Sequence, residues 1–227
     1  MKNFYKNKKI LVTGHTGFKG SWMCLWLKHM GSNVLGVSNK NYQNSYHFNQ
    51  LRLNIKTKYA DIRDKKQINK IVNFFKPDII FHLAAQSLVK KGHQKPFLTF
   101  DINVNGTLNV LESVKDFNKK IIIINVTTDK CYKNDTNKKA FKENDKLGGD
   151  DPYSSSKVLS EQLTTSYQKI YKNKKIYLAS ARCGNVIGGG DWSEDRIIPD
   201  LVNSITKNKI LKVRGYNNVR PWLHVLD

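Results

Sequence analysis

Four isoleucines in a row, Ile121-Ile122-Ile123-Ile124, restrict the fold more than any other stretch of this chain. β-Branched side chains favour extended backbone, and a run without polar alternation marks a strand that is apolar on both faces. Such a strand needs cover on each side, and the surrounding sequence supplies it. Lys9–Thr13, residues 33–37, a segment ending at Tyr59-Ala60-Asp61, residues 78–83 and residues 176–180 read as further strands. Between them lie helical stretches at 21–30, from the Asp64 cap to Phe75, at 96–117 with Val104, Leu108 and Leu111 at helical spacing, and at 153–171. Repeated alternation with short links and right-handed crossovers predicts an α/β fold, a doubly wound parallel sheet.

The first strand runs into Thr13-Gly14-His15-Thr16-Gly17-Phe18-Lys19-Gly20, which opens the first helix. In strand–turn–helix context the first glycine permits the tight turn and the second lets backbone approach a pyrophosphate at the positive helix end. The third allows close helix–sheet packing. Gly14, Gly17, Phe18, Lys19 and Gly20 are therefore expected to bind a dinucleotide. Asp61-Ile62, after the third strand, either brings a carboxylate to an adenine amino group or lets Asp61 cap the next helix. Leu83-Ala84-Ala85-Gln86 ends the fourth strand with small residues that permit a cofactor to approach. A fold of this kind that prefers NAD usually ends its second strand in an acid. Here that place reads Val37-Ser38-Asn39-Lys40: Ser38 or Asn39 can bond a ribose and Lys40 can tolerate a 2′-phosphate, so this motif is compatible with NAD or NADP.

Residues 1–182 thus read as a Rossmann-type dinucleotide-binding domain. From Cys183 the texture changes to a glycine-rich loop, Gly184-Asn185-Val186-Ile187-Gly188-Gly189-Gly190-Asp191-Trp192, followed by a helix over Ile197–Thr206. Residues 183–227 read as the start of a substrate-binding region that looks cut at Asp227, with no evident terminal element.

Composition narrows the function. The formal charge of +21 suggests a polyanion partner, but only six of the 39 basic residues are arginine. The lysines alternate with asparagines along the whole sequence, as on solvated faces, so no nucleic-acid partner is expected. No apolar run reaches membrane-spanning length and the N-terminus lacks a secretory pattern. Cys24, Cys131 and Cys183 have neither metal nor disulfide spacing, which suits a reducing cytoplasm. The six histidines form no ligand cluster, and His82, inside an apolar strand, reads as a satisfied core residue.

Chemistry is carried by two segments. Thr127-Thr128-Asp129-Lys130-Cys131-Tyr132 closes the isoleucine strand, and Asp151-Pro152-Tyr153-Ser154-Ser155-Ser156-Lys157 opens a helix. Tyr153 and Lys157, four apart, fall on one helical face, where an ammonium can depress the phenol's pKa and make it a usable base.

This set resembles extended short-chain dehydrogenases/reductases that act on nucleotide sugars. More narrowly it resembles CDP-glucose 4,6-dehydratases, through Val12 to Trp22, His82 to Gln86, Thr128 to Tyr132, Leu147 to Tyr153, Ala181 to Trp192 and Arg220 to Val225. The resemblance covers essentially the whole chain, and Asp129-Lys130 is its most discriminating element. It implies NAD as cofactor and CDP-glucose as substrate, converted to CDP-4-keto-6-deoxyglucose, a precursor of sugars in surface polysaccharide. It implies that Tyr153, assisted by Lys157 and Thr128, removes the 4-hydroxyl proton as hydride leaves C4, and that Asp129 protonates the departing C6 hydroxyl. Lys130 is either the C5 base, if burial and neighbours such as Lys157 render it neutral, or a group that orients the sugar and stabilises the enolate. Asn185 and Arg220 match contacts to the substrate diphosphate, and a homodimer is the usual assembly. A 4-epimerase shares Tyr153 and Lys157 but needs no elimination pair, so Asp129-Lys130 speaks against it.

Overall fold

A computed structural model describes residues 2–40, 46–134, 140–211, 213, 215, 217 and 219–227. Its elements follow in chain order as α1 (Lys2–Tyr5), β1 (Lys9–Thr13), α2 (Phe18–His29), β2 (Asn33–Ser38), α3 (Tyr46–Leu51), β3 (Lys56–Tyr59), α4 (Lys65–Phe75) and β4 (Ile79–His82). Then come α5 (Val89–Gln94), α6 (Pro96–Phe100), a π-helical turn (Asp101–Asn105), α7 (Gly106–Glu112), β5 (Ile121–Thr128), α8 (Pro152–Ile170), β6 (Ile176–Cys183), β7 (Asn185–Ile187), α9 (Ile197–Thr206) and β8 (Trp222–His224).

Six strands form one parallel sheet in the order β3-β2-β1-β4-β5-β6, so the winding reverses between β1 and β4. The expected doubly wound sheet is present. The isoleucine run divides as its composition requires. Ile121 and Ile123 are fully buried with Leu11, Ile80 and Leu111 on one face, while Ile122 and Ile124 pack beside Ile10, Val12 and Phe81 on the other. Registers Thr13↔His82, His82↔Asn125 and Thr128↔Cys183 align the carboxyl ends of four strands on one edge. Ligands of such sheets bind at that edge, beside the reversal.

Local signals explain most boundaries. Asp64 caps α4, accepting from the Gln67 amide at 3.0 Å. Asp151 and Ser154 form a reciprocal capping box at α8, with Pro152 in its first turn. The helix expected over 96–117 stops at Glu112: beyond Ser113 the Lys115 and Phe117 amides bond only three residues back, to Glu112 and Val114, and the chain tightens into turns. It also contains the π-helical turn, a one-residue excess that no apolar period reports. The chain's last segment does carry an element: β8 pairs in parallel with β7, a two-stranded sheet too short for pattern recognition.

Candidate active site

The glycine turn and the end of β4 meet directly. Gly14 has φ +72°, and a Cβ there would lie 2.8 Å from the Ala84 amide nitrogen. A Cβ at Gly20 would strike the Gly14 carbonyl. Two glycines thus let the turn, α2 and the Leu83-Ala84-Ala85 edge close on one another. Thr13 fastens them, its hydroxyl accepting from the Ala84 amide at 3.2 Å and bonding His82 Nδ1 at 2.7 Å. His82 completes its pairing with Thr107 at 3.1 Å and is the satisfied core residue that was expected. Gly17 caps α2 without a side-chain bond, and no acid stands in the first turn. These amides fit a pyrophosphate, and the Cβ-free cradle beneath fits a dinucleotide.

At the far end of the cradle, helix capping belongs to Asp64, and Asp61 instead binds the Arg63 guanidinium at 2.7 and 3.0 Å. Asn39 at the end of β2 donates to the same carboxylate at 3.2 Å. Ile62 is buried against Gly106. The Gln86 side chain turns inward to Thr99 and Leu88. Its backbone is gripped by Asn103, which also donates to Ser156 at 2.8 Å. Asn103 lies in the π-helical turn, so that irregularity ties the β4 edge to α8; nothing in the residue spacing announces it.

β5 ends in Thr128 and tightens at once into a 3₁₀ turn over Asp129–Cys131. The Thr128 hydroxyl donates to Asp129 Oδ1 at 3.1 Å and accepts from the Lys130 amide at 3.3 Å. The same hydroxyl acts on the phenol of Tyr153, which α8 presents from its first turn, and favours its ionised form. Lys157 follows one turn later and donates to the Val126 carbonyl at 3.1 Å. Thr128, Tyr153 and Lys157 are all buried.

Electrostatics differ from the expectation in two places. Burial pushes the Tyr153 phenol up to about 12, opposed by the Thr128 hydroxyl, so in this state it lies above its ordinary range where a depressed phenol had been expected. Lys157 is itself lowered to about 8, first by burial and then by the nearby Lys19 charge, so it is a weakened cation. Lys130 does lie below its ordinary range, from burial first and then from Arg220, while Asp151 and Asp129 oppose the shift. The neighbouring cations are thus Arg220 and Arg196, where Lys157 had been expected.

β7 and β8 bring the remaining candidates together. Asn185 pairs in register with Trp222 and its amide donates to the Pro221 carbonyl at 3.1 Å, which sets Arg220 beside it. Trp22 donates to the Gly189 carbonyl at 2.8 Å, fixing the glycine loop over α2. Lys19 lies below, within the charge field of Asp129, Asp191 and Arg196. Among the described residues no group of His, Cys, Asp or Glu is arranged to hold a metal.

One constellation escaped the sequence reading. Glu161 is buried on α8 and accepts from Arg182 at 2.6 and 2.9 Å and from Thr127 at 2.6 Å. Arg182 also donates to the Glu143 carbonyl at 2.8 Å and lies 4.7 Å over the Tyr132 ring. The signal was available: Tyr153, Lys157 and Glu161 recur every four residues on one helical face.

The model of the family described as GDP-mannose 4,6 dehydratase matches residues 11–227. The chain is 42% identical to the CDP-glucose 4,6-dehydratase of Salmonella typhimurium over 100% of this chain and 65% of that protein. It therefore spans about two thirds of that relative's length. It is 29% identical to the dTDP-glucose 4,6-dehydratase of Escherichia coli over 96% of this chain and 66% of that one. Among solved structures, the epimerase Mth375 of Methanothermobacter thermautotrophicus superposes with a TM-score of 0.88 at 26% identity, over 99% of this chain and 66% of that one. The dTDP-glucose 4,6-dehydratase of Bacillus anthracis in complex with NAD superposes with a TM-score of 0.82 at 27% identity, over 96% and 68%.

Proposed function

The chain belongs to the GDP-mannose 4,6-dehydratase family, and from that membership we propose that it is an NAD-dependent lyase converting CDP-glucose to CDP-4-keto-6-deoxyglucose and water. The observation that carries the reading is the Thr128-Asp129-Lys130 turn set at the end of β5 against Tyr153, in a chain 42% identical to a CDP-glucose 4,6-dehydratase. Residues 1–182 bind the dinucleotide and 183–227 begin the sugar-nucleotide region.

Gly14, Gly17, Phe18, Lys19 and Gly20 would cradle the NAD pyrophosphate, with Asp61 and Ile62 at the adenosine end and Leu83, Ala84, Ala85 and Gln86 along the β4 edge. Once bound, NAD would accept hydride from sugar C4 and return it at C6, with a proton restored to C5, so that there is no net redox change. Tyr153, beside Thr128, takes the 4-hydroxyl proton as the phenolate, so its pKa must fall from about 12 once the cationic nicotinamide is seated, with Lys157 supplying further positive charge. The 4-ketone acidifies C5. Burial and Arg220 move Lys130 toward its neutral form, and it is the group we assign to remove the C5 proton. Asp129 donates the proton that lets the C6 hydroxyl leave as water. Asn185 and Arg220 hold the diphosphate, for which a guanidinium fork is suited.

Three free cysteines favour a reducing cytoplasm, and the product class suits surface-polysaccharide synthesis. Leu159 and Ile170, exposed on α8, favour a homodimer through that helix. No helix among the described residues is long and apolar enough to cross a membrane.

The test incubates the full chain with NAD⁺ and CDP-glucose, dTDP-glucose or UDP-glucose, following the 4-keto product by its absorbance in alkali. Product from CDP-glucose alone is expected; product from none would sink the reading for this chain. Asp129→Asn should slow dehydration by roughly 10²–10⁴-fold, the usual contribution of a positioned acid. Unchanged turnover in that variant would favour an epimerase-like mechanism.

A further inference from the structure

We infer that dinucleotide choice is set at the end of β2 by an acid supplied from the link after β3: Asp61, linked through Asn39 and neutralising Arg63, favours a bare ribose 2′-hydroxyl and opposes a 2′-phosphate. The inference rests on the dinucleotide-binding reading above and adds the residues that discriminate NAD from NADP.

In this fold the adenosine ribose lies over the end of the second strand, where an acid usually reads its 2′-hydroxyl. Here β2 ends at Ser38 and continues Asn39-Lys40, without an acid. Ser38 is buried, and its hydroxyl already bonds Thr16 at 2.6 Å. Asn39 directs its amide to Asp61 Oδ2 at 3.2 Å. The Ala60 amide donates to the Ser38 carbonyl at 3.0 Å, so the ends of β2 and β3 are tied together and the carboxylate lies one amide away from the strand's end.

A 2′-phosphate is recognised by a guanidinium presented as a fork. Arg63 is the guanidinium at hand, and it is committed. Its Nη2 and Nε bind Asp61 at 2.7 and 3.0 Å, and its Nη1 binds Asp101 at 3.1 Å. Asp101 in turn accepts from Asn105 at 2.9 Å, which holds it in place. Two carboxylates surround one guanidinium, so the cluster carries a net negative charge where the phosphate would land. Lys40 is the opposing cation, but it is exposed, where water and salt screen its charge.

Isothermal titration of the full chain with NADH and with NADPH at one ionic strength tests this without any turnover. The wild type should bind NADH at least about tenfold tighter, a difference of about 1.4 kcal/mol. Asp61→Asn removes the charge, keeps the shape and releases Arg63, so the NADH preference should shrink severalfold through a gain in NADPH affinity. Arg63→Met leaves two carboxylates unbalanced, so the preference should widen. Opposite movements of one ratio cannot come from general damage to the fold, which would weaken both ligands alike. Equal binding of the two by the wild type, or variants that shift both affinities by one factor, would overturn the inference and leave the cofactor reading intact. Binding of neither would overturn both.

Discussion

Lys157 is a buried ammonium whose Nζ donates to the Val126 carbonyl at 3.1 Å, with Lys19 as a second cation nearby. Its pKa falls from 10.5 to about 8, a change equivalent to roughly 3 kcal/mol. The sign follows from proton binding. Between about pH 8 and 10.5 the unfolded chain holds this proton and the folded chain has released it, so stability rises with pH through that window. Below pH 8 the fold bears the full penalty of a buried charge. Lys157→Met removes the group, so denaturant unfolding of both proteins at pH 7.5 and 10 isolates it. The wild type should gain roughly 2 kcal/mol on the variant across that interval. A difference independent of pH would show that Lys157 is not the depressed group. Tyr153, pushed up to about 12, titrates beyond this range. Spacing in the sequence located both residues and put them on one helical face. It carried no information on depth, which is why the phenol moves opposite to expectation: desolvation depends on what the fold stacks above α8, and neighbours in sequence do not report it.

At the scale of elements, α8 is joined to β5 and β6 by a buried ion pair. Glu161 and Arg182 have side chains only 4% and 19% exposed, and Thr127, one residue before Thr128, shares the carboxylate. Arg182 also holds the Glu143 carbonyl and the ring of Tyr132, the residue that follows the Asp129–Cys131 turn. Removing one partner leaves an uncompensated buried charge, so Glu161→Gln should cost about 3–5 kcal/mol in urea or guanidinium unfolding. Glu161→Leu combined with Arg182→Met should recover most of that stability, yet still lower kcat because the Asp129–Cys131 turn loses its anchor. A single variant as stable as the wild type would refute the pair's role. Most elements were legible, because α4 and α8 carry their own caps and the strands their own apolar runs. The π-helical turn was not, since its excess residue is stabilised by Asn103 reaching Gln86 and Ser156, contacts 17 and 53 positions away. β8 escaped for a related reason: three residues become a strand only because β7 lies alongside.

For the whole molecule, the parallel order β3-β2-β1-β4-β5-β6 gathers Thr13, His82, Thr128 and Cys183 at one edge, though they stand up to 170 positions apart in the chain. The alternation of strands and helices predicted that edge, and the glycine turn predicted what meets it; the fit between the turn and Ala84 emerges only in three dimensions. Thermal unfolding tests the assembled edge as a unit. A ligand that binds only the folded chain at 100 times its Kd adds about 2.7 kcal/mol of stability. For a chain of this size that raises Tm by roughly 5–10 °C. NADH at saturating concentration should produce such a rise in the wild type. Gly14→Ala should abolish it, because φ +72° and a Cβ 2.8 Å from the Ala84 nitrogen force the turn and the β4 edge apart. A duplex DNA fragment at physiological salt should leave Tm unchanged, since the +21 charge is spread over solvated lysines and its attraction is screened. A rise with DNA and none with NADH would reverse the assignment of the sheet edge as the ligand site and make the basic surface the functional one.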